Sequence, residues 1–257
     1  MEKEIIILTG ATGAIGTELA RRIAKSAGES ESPLCCRELL LACRNTAKAE
    51  RLQEELTGEF PQLQCSVAEL DLEDAGSVRR FAALPQLSGA NLTLMNNAGV
   101  MRRTFATDRQ GRELSLVVNY FNPRLLTELL LDTGRLRRVV FTTSLTRFFY
   151  RPFTQKPIVT QRGFHQLRTY GLSKRLITDY AARLHASGRC TVTCADPGVV
   201  NTGMIHMSRW YDPLADRFFR PFIRTPRRGS LPAFRALSAP SGVICCARRQ
   251  HPLPAIN

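Results

Sequence analysis

Hydrophobic and polar positions alternate along this chain in blocks that predict a regular succession of strands and helices. Residues 4–9 (EIIILT) and 38–43 (ELLLAC) are short apolar runs, whereas residues 14–27 place apolar side chains at helical spacing. The same pattern predicts further strands at 63–70, 91–95, 138–143 and 190–195, and further helices at 46–56, 74–84, 111–131 and 169–187. Strands that alternate with helices are joined by right-handed crossovers and form a parallel sheet.

A glycine-rich segment, TGATGAIG at residues 9–16, joins the first predicted strand to the first predicted helix. Its three glycines allow a tight turn and a close approach of a ligand to the backbone, and the helix that follows offers its N-terminus to a pyrophosphate. We therefore predict a bound dinucleotide rather than a plain turn at this position. The predicted contacts are Gly10, Thr12, Gly13, Ala14, Ile15 and Gly16.

These elements predict an α/β fold, a single-domain doubly wound Rossmann architecture with a mainly parallel sheet of about seven strands. A chain of 257 residues with 44% hydrophobic residues can bury one core of this size, so residues 1–257 are predicted to form one NAD(P)-binding domain. Residues 203–235 are predicted to form a substrate lid, with a surface helix on anionic lipid and a buried helical hairpin as the alternatives for residues 204–225, and residues 247–257 a surface tail. The sequence contains no run of about 18 apolar residues, so we expect a soluble or peripheral protein with the cytoplasm as its default location.

The residue after the second strand indicates which nucleotide is bound. An acid there bonds the ribose 2′-hydroxyl and repels a 2′-phosphate, whereas this chain has Arg44, whose forked donors suit a phosphate. NADP(H) is therefore predicted in preference to NAD(H), and a solvated arginine is the alternative. Asp71, after the third strand, is predicted either to meet the adenine or to begin the turn before the next helix.

Tyr170 and Lys174 lie one helical turn apart in the segment YGLSK. A phenol has an ordinary pKa of about 10, and lowering that pKa by roughly three units requires about 4 kcal/mol of differential stabilisation. A close ammonium group in a partly desolvated pocket, helped by a cationic cofactor ring, can supply it. The pair is therefore a candidate acid/base unit, and an ordinary solvated helix face is the alternative.

Several segments in a fixed order make residues 5–202 resemble the short-chain dehydrogenase/reductase family. They are TGATGAIG, LDL at 70–72, NNAG at 96–99, Asn119 in VVNYF, Ser144 in TTS, YGLSK at 170–174 and DPGVVNT at 196–202. The segment ACRN and the 26-residue separation of Ser144 from Tyr170 are most similar to the retinol-dehydrogenase-like branch, whose members often reduce lipophilic carbonyls with NADPH. Ala14 departs from the family pattern, because it stands in place of the second glycine of the turn.

The resemblance implies an oxidoreductase that interconverts an alcohol and a carbonyl on a lipophilic substrate. It implies that Tyr170 is the general acid/base and that Lys174 lowers the tyrosine pKa and binds the nicotinamide ribose. It further implies that Ser144 polarises the substrate oxygen and that Asn119 holds a water in a proton relay. A strand cap is the alternative for Ser144, and a buried bridge between backbone groups is the alternative for Asn119. The remaining implied cofactor contacts are Leu72, Asn97, Ala98, Gly99, Pro197, Gly198, Val199 and Thr202.

The net charge of +14 is concentrated in the second half of the chain, where residues 135–257 carry 21 Lys and Arg against four Asp and no Glu. Such a field attracts polyanions, which leaves a non-catalytic dinucleotide-binding regulator or scaffold as the alternative function. No basic run typical of a nucleic-acid module occurs, so we expect a small carbonyl or alcohol substrate and no nucleic acid. Peripheral membrane contact and a homo-oligomer stay open.

The eight cysteines form no CxxC pair, so neither a metal site nor a disulfide framework is predicted.

Overall fold

A mainly parallel sheet organises the part of the chain that the computed structural model describes, which is residues 3–27, 38–149, 158–200 and 224–255. Its strands are β1 Glu4–Thr9, β2 Glu38–Cys43, β3 Gln64–Glu69, β4 Asn91–Asn96, β5 Leu136–Thr142, β6 Thr191–Ala195, β7 Val243–Cys245 and β8 Gln250–Pro252. They lie in the order β3-β2-β1-β4-β5-β6-β7-β8, and each neighbouring pair is parallel except β7 with β8. The predicted fold class is confirmed, with eight strands where about seven were expected.

Helices cover both faces of this sheet. They are α1 Ala14–Ser26, α2 Thr46–Glu59, α3 Ala75–Ala82, α4 Leu114–Leu116, α5 Asn122–Asp132, α6 Gln166–Ala186, α7 Pro226–Gly229 and α8 Leu231–Ala236. Side chains of β1 explain why the predicted strands are continuously apolar. Ile5 and Ile7 pack into one core with α3, α5 and α6, whereas Ile6 and Leu8 pack into a second core with α1, α2 and α8.

The long helix predicted over 111–131 is divided in the structure. It begins at α4, where the carboxylate of Glu113 accepts a hydrogen bond from the backbone N–H of Leu116 at 3.0 Å. A π-helical turn, Val117–Phe121, then separates α4 from α5. A π turn inserts an extra residue into the helix and is frequent at functional sites, and this one carries Asn119.

The C-terminal part of the chain continues the sheet and its helical layer. Ala233 of α8 is buried against the α1 side of the sheet, so the described end of the predicted 203–235 lid contributes a residue to the core. Residues 203–223 of that lid and Thr202 lie outside the described residues. The predicted tail 247–257 contains the exposed edge strand β8, in which a proline is tolerated. Within the described ranges no helix has the length and apolar character needed to cross a membrane.

Candidate active site

A cleft of about 450 Å³ opens at the carboxyl ends of the parallel strands. Loops that follow β1 to β4 form its walls together with α6, which is where open α/β sheets bind their ligands. The predicted cofactor residues that line it are Gly10, Thr12, Gly13, Ala14, Ile15, Gly16, Arg44, Asp71, Leu72, Asn97, Ala98, Gly99, Tyr170, Lys174 and Pro197. The structure also describes Gly198 and Val199, but these two residues do not line the cleft.

The glycine-rich turn presents the N-terminus of α1 to the cleft. Gly13 is the N-cap residue, and no side chain caps the first turn of this helix. Its first N–H groups are therefore available to an anion at a point where Ala14 and Ile15 line the cleft. These features fit the pyrophosphate of a dinucleotide.

Glycine is required inside this turn for steric reasons. Gly10 has a φ of 65°, and a Cβ at this position would lie 2.8 Å from the Cα of Ala98. A Cβ at Gly16 would lie only 2.1 Å from the carbonyl oxygen of Gly10. The close packing of the turn against α1 and the segment after β4 thus depends on the missing side chains.

We expect Gly16→Ala to lower the melting temperature and to weaken cofactor binding at least tenfold, because the added methyl group must displace the backbone of the turn. Thermal unfolding and a fluorescence titration with NADPH measure both effects. The matched control is Gly58→Ala at the exposed end of α2, where a Cβ meets nothing within 4 Å. That change is expected to leave binding unchanged, and equal melting temperatures for the two variants would contradict the steric argument.

The NNAG segment connects β4 to the end of β1. The Nδ2 of Asn97 donates to the carbonyl oxygen of Thr9 at 3.0 Å, and the Oγ1 of Thr9 accepts from the N–H groups of Asn97 and Ala98, both at 3.0 Å. This bonding supports the cleft wall beside the glycine turn. Sequence analysis missed the role of Thr9, although its position directly before Gly10 was a usable signal.

Arg44 meets an acidic partner where the loops after β2 and β3 line the cleft. Its Nη1 lies 3.3 Å from Oε1 of Glu73, and Nη1 of Arg102 lies 3.0 Å from the same oxygen. Sequence analysis missed Glu73 and Arg102. The Oδ1 of Asp71 accepts from the backbone N–H of Glu73 at 2.8 Å, which corresponds to the turn that was the alternative for Asp71, while Asp71 also lines the cleft.

The predicted chemical residues Tyr170, Ser144 and Lys174 come together near the ends of β5 and α6. Ser144 neighbours Tyr170, and its hydrogen-bonding influence acts to lower the tyrosine pKa. Lys174 is buried, and its Nζ donates to the carbonyl oxygen of Thr142 at 2.8 Å while lying 5.6 Å from the centroid of the Tyr170 ring. Tyr170 and Lys174 both line the cleft, so a phenol hydroxyl and an ammonium group face it together.

Burial controls the ionisation of this group. It raises the pKa of Tyr170 to about 12, with a further contribution from the negative charge of Asp196, while the bond with Ser144 acts in the opposite direction. Burial lowers the pKa of Lys174 to about 8, against the attraction of Asp196. Desolvation of the phenol dominates in this structure, and the lowering of the tyrosine pKa by Lys174 together with a cationic cofactor ring stays a prediction.

Asn119 lies beside Lys174 with its hydrogen bonds directed at neighbouring groups. Its Oδ1 accepts from the N–H of Val100 at 2.8 Å, and its Nδ2 donates to the carbonyl oxygen of Val100 at 2.8 Å and to Ser173 at 3.0 Å. A Cβ at Gly99 would lie 3.3 Å from Nζ of Lys174 and 3.5 Å from Oδ1 of Asn119. The bridge that was the structural alternative for Asn119 is present, and its water relay stays a prediction.

A buried ion pair that sequence analysis missed supports the loop of Ser144. Arg147 donates to the carboxylate of Asp196, and its Nη1 also donates to the carbonyl oxygen of Ser144 at 2.8 Å. The side chains of Arg147 and Asp196 are 5% and 2% exposed, so the pair is shielded from water. It fastens the segment after β5 to the end of β6, where Oδ1 of Asp196 accepts from the N–H of Gly198 at 3.0 Å.

The doubly wound sheet, the glycine turn and the Tyr170 group together define a dinucleotide-dependent oxidoreductase. A family model described as short chain dehydrogenase matches residues 4–210. Retinol dehydrogenase 12 of Homo sapiens is 31% identical over 235 residues, which cover 88% of this chain and 71% of that protein. Polyprenol dehydrogenase of Mus musculus is 30% identical over 250 residues, which cover 92% and 72%.

A solved structure adds a likeness of fold. The short-chain dehydrogenase from Sphingobium yanoikuyae in complex with NADPH matches with a TM-score of 0.67 and 16% identity, over 95% of this chain and 88% of that one. The chain belongs to the short-chain dehydrogenase/reductase family, in its retinol-dehydrogenase-like branch. It is an enzyme that acts on CH–OH groups, and the family prediction is confirmed.

Proposed function

We propose that the protein is an NADP(H)-preferring oxidoreductase that interconverts a lipophilic alcohol and its carbonyl, with Tyr170 as general acid/base. One observation carries this proposal. Tyr170 and Lys174 line the cleft with Ser144 as a neighbour of the tyrosine, and Arg44 lines the same cleft from the end of β2, which β1 and β4 separate from β5. A cofactor that spans the cleft places its nicotinamide end near Tyr170 and Ser144 and its adenosine end near the guanidinium group of Arg44.

During reduction, the side chains act on the carbonyl oxygen. A nicotinamide dinucleotide held by the glycine-rich turn and Lys174 would supply the hydride, and thus both electrons, that the carbonyl carbon receives. The hydroxyl of Ser144 donates a hydrogen bond to the oxygen as negative charge develops there. Tyr170 transfers its proton to that oxygen, which yields the alcohol and a phenolate, and the ammonium group of Lys174 stabilises the phenolate until solvent returns a proton. Oxidation follows the same steps in reverse.

In the ligand-free protein, the ionisation of Tyr170 and Lys174 suits proton donation by the tyrosine. A tyrosine with a pKa of about 12 keeps its proton across the physiological range and is ready to donate it. The pKa of about 8 for Lys174 means that its ammonium form dominates below pH 8 and is lost above it. The charge that stabilises the phenolate therefore disappears as the solution becomes alkaline.

For carbonyl reduction at saturating NADPH, we accordingly expect kcat/KM to fall above about pH 8 as Lys174 loses its proton. Initial rates between pH 6 and 10 measure the profile. Tyr180→Phe serves as a control, because the hydroxyl of Tyr180 bonds to Glu128 away from the cleft, and this variant should keep the same profile. A rate that is constant to pH 10 would mean that the charge of Lys174 is not needed.

Exposed apolar side chains support a lipophilic substrate. The large hydrophobic residues with substantial exposure in the described ranges are Leu145, Phe148, Ile158, Leu167 and Val199. They belong to segments that follow Ser144, lead into or begin α6, or follow β6, which adjoin the residues that carry Ser144, Tyr170 and Asp196 along the chain. Apolar groups concentrated near a site are typical of one that binds an apolar ligand.

Arg44 is the residue on which the proposed preference for NADP(H) depends. Arg44→Asp is expected to weaken NADPH binding at least tenfold and to leave NADH binding equal or stronger, since a carboxylate repels a 2′-phosphate. Fluorescence titrations with both nucleotides measure the change, and Arg51→Asp on the exposed face of α2 controls for the reversal of charge. Unchanged selectivity would remove Arg44 from the phosphate site.

The proposed function as a whole is tested by a panel of carbonyls and alcohols of increasing chain length. Each compound is assayed with NADPH, NADH, NADP⁺ and NAD⁺ by the absorbance of the reduced cofactor. The proposal expects turnover that is faster with NADP(H) and a KM that falls as the apolar chain lengthens. Turnover with NAD(H) alone, or with short polar substrates only, would overturn the proposed preferences.

A further inference from the structure

Three loops of the sheet converge on a single carboxylate oxygen. Arg44 follows β2, Glu73 follows β3 and Arg102 follows the NNAG segment after β4. Both guanidinium groups donate to Oε1 of Glu73, Arg102 at 3.0 Å and Arg44 at 3.3 Å. Arg44 and Glu73 also line the cleft, so these two members of the cluster face the space that a dinucleotide would occupy, and Arg102 joins them through Oε1 of Glu73.

The cluster has the donor arrangement of a phosphate site. Two arginines directed at one anionic oxygen present forked donors that match phosphate oxygens as well as carboxylate oxygens. Their combined charge exceeds that of Glu73 by one, and a phosphate monoester carries about −1.5 to −2 at pH 7 with three acceptor oxygens. The phosphate would therefore satisfy the two guanidinium groups better than the single carboxylate does.

A competing anion can readily replace Glu73 as the acceptor of the hydrogen bonds from Arg44 and Arg102. Its side chain is 29% exposed, that of Arg102 is 32% exposed and that of Arg44 is 67% exposed. Ion pairs with this degree of exposure contribute little to stability because water and salt screen them. Glu73 can consequently release the arginines without a large cost to the fold.

We propose that Arg102 is a second ligand of the 2′-phosphate of NADP(H), and that Glu73 is its internal competitor, which holds Arg44 and Arg102 when no phosphate is bound. This inference rests on the proposed preference for NADP(H). It adds that the preference is set by the balance of three side chains rather than by Arg44 alone. Glu73 lowers the affinity for a 2′-phosphate and leaves an adenosine without that phosphate little affected.

The test compares adenosine 2′,5′-bisphosphate with adenosine 5′-monophosphate, which differ only in the 2′-phosphate, by calorimetric titration of the whole protein. Arg102→Gln is expected to weaken binding of the bisphosphate about tenfold and to leave the monophosphate within twofold. Glu73→Gln is expected to strengthen binding of the bisphosphate about threefold or more, again with little change for the monophosphate. Arg103→Gln removes the same charge from the next, exposed residue and should leave both affinities within twofold.

The outcomes separate this inference from the proposed function. Equal binding of the two nucleotides by the unaltered protein would overturn both. A preference for the bisphosphate that Arg44→Asp abolishes but Arg102→Gln leaves intact would overturn the inference alone. Weaker binding of the bisphosphate by Glu73→Gln would show that Glu73 orients the arginines instead of competing for them, and weaker binding of the monophosphate would show that it bonds the ribose. Melting temperatures of all variants identify any loss that comes from unfolding.

Discussion

Replacing Tyr170 with phenylalanine is expected to lower kcat for carbonyl reduction by about a thousandfold, while the affinity for NADPH stays within a few-fold. The change removes the only atom that can transfer a proton from this side chain and keeps the ring that lies 5.6 Å from Nζ of Lys174. Steady-state kinetics measure the loss of turnover, and a fluorescence titration measures cofactor binding. An effect on kcat without a matching effect on cofactor affinity identifies a group that acts in the reaction step.

Two further variants serve as a control and a comparison for Tyr170→Phe. Tyr180→Phe removes a tyrosine hydroxyl that bonds to Glu128 outside the cleft, and it should keep full activity. Ser144→Ala should lower kcat by a smaller factor, since Tyr170 keeps its proton but loses the hydrogen-bond partner that acts to lower its pKa. If Tyr170→Phe retained substantial turnover, the proton would have to come from another group or from water.

The second large effect concerns the ion pair of Arg147 and Asp196. Asp196→Asn is expected to lower the free energy of unfolding by about 3–5 kcal/mol, because it leaves the guanidinium of Arg147 buried without its counter-charge. Equilibrium unfolding in urea measures this loss. The double variant Arg147→Met with Asp196→Leu removes both charges, and it should recover most of the stability.

In that double variant we expect stability to be largely recovered while activity stays reduced. Arg147 also donates to the carbonyl oxygen of Ser144, so its removal frees the loop that positions the Ser144 hydroxyl against Tyr170. We expect a stable protein with reduced kcat. The control is Asp132→Asn in the exposed pair with Arg189, which should leave the unfolding transition nearly unchanged. Equal destabilisation by the two Asn variants would contradict the argument from burial.

Local signals in the sequence were sufficient for the architecture. The apolar run of β1 and the helical spacing of α1 predicted these elements within a residue, because a strand buried on both faces and a helix packed on one face each leave a periodic pattern. The pattern was less informative over 111–131, where it predicted one helix. It could not reveal the π turn at Asn119, since one inserted residue changes the hydrogen bonding but not the apolar character of the segment.

The chain by itself determined the fold class, the family and the residues that flank the cleft. The motifs that indicate them, such as the glycine turn and the spacing of Tyr170 and Lys174, each lie within one short segment of the sequence. Only the tertiary structure decided that Glu73 joins Arg44 to Arg102 and that Arg147 meets Asp196. It also decided that burial raises the pKa of Tyr170 above its ordinary value. Charge pairing and desolvation depend on distances between side chains from separate loops, and these distances exist only after the crossovers bring the strand ends to one edge of the sheet.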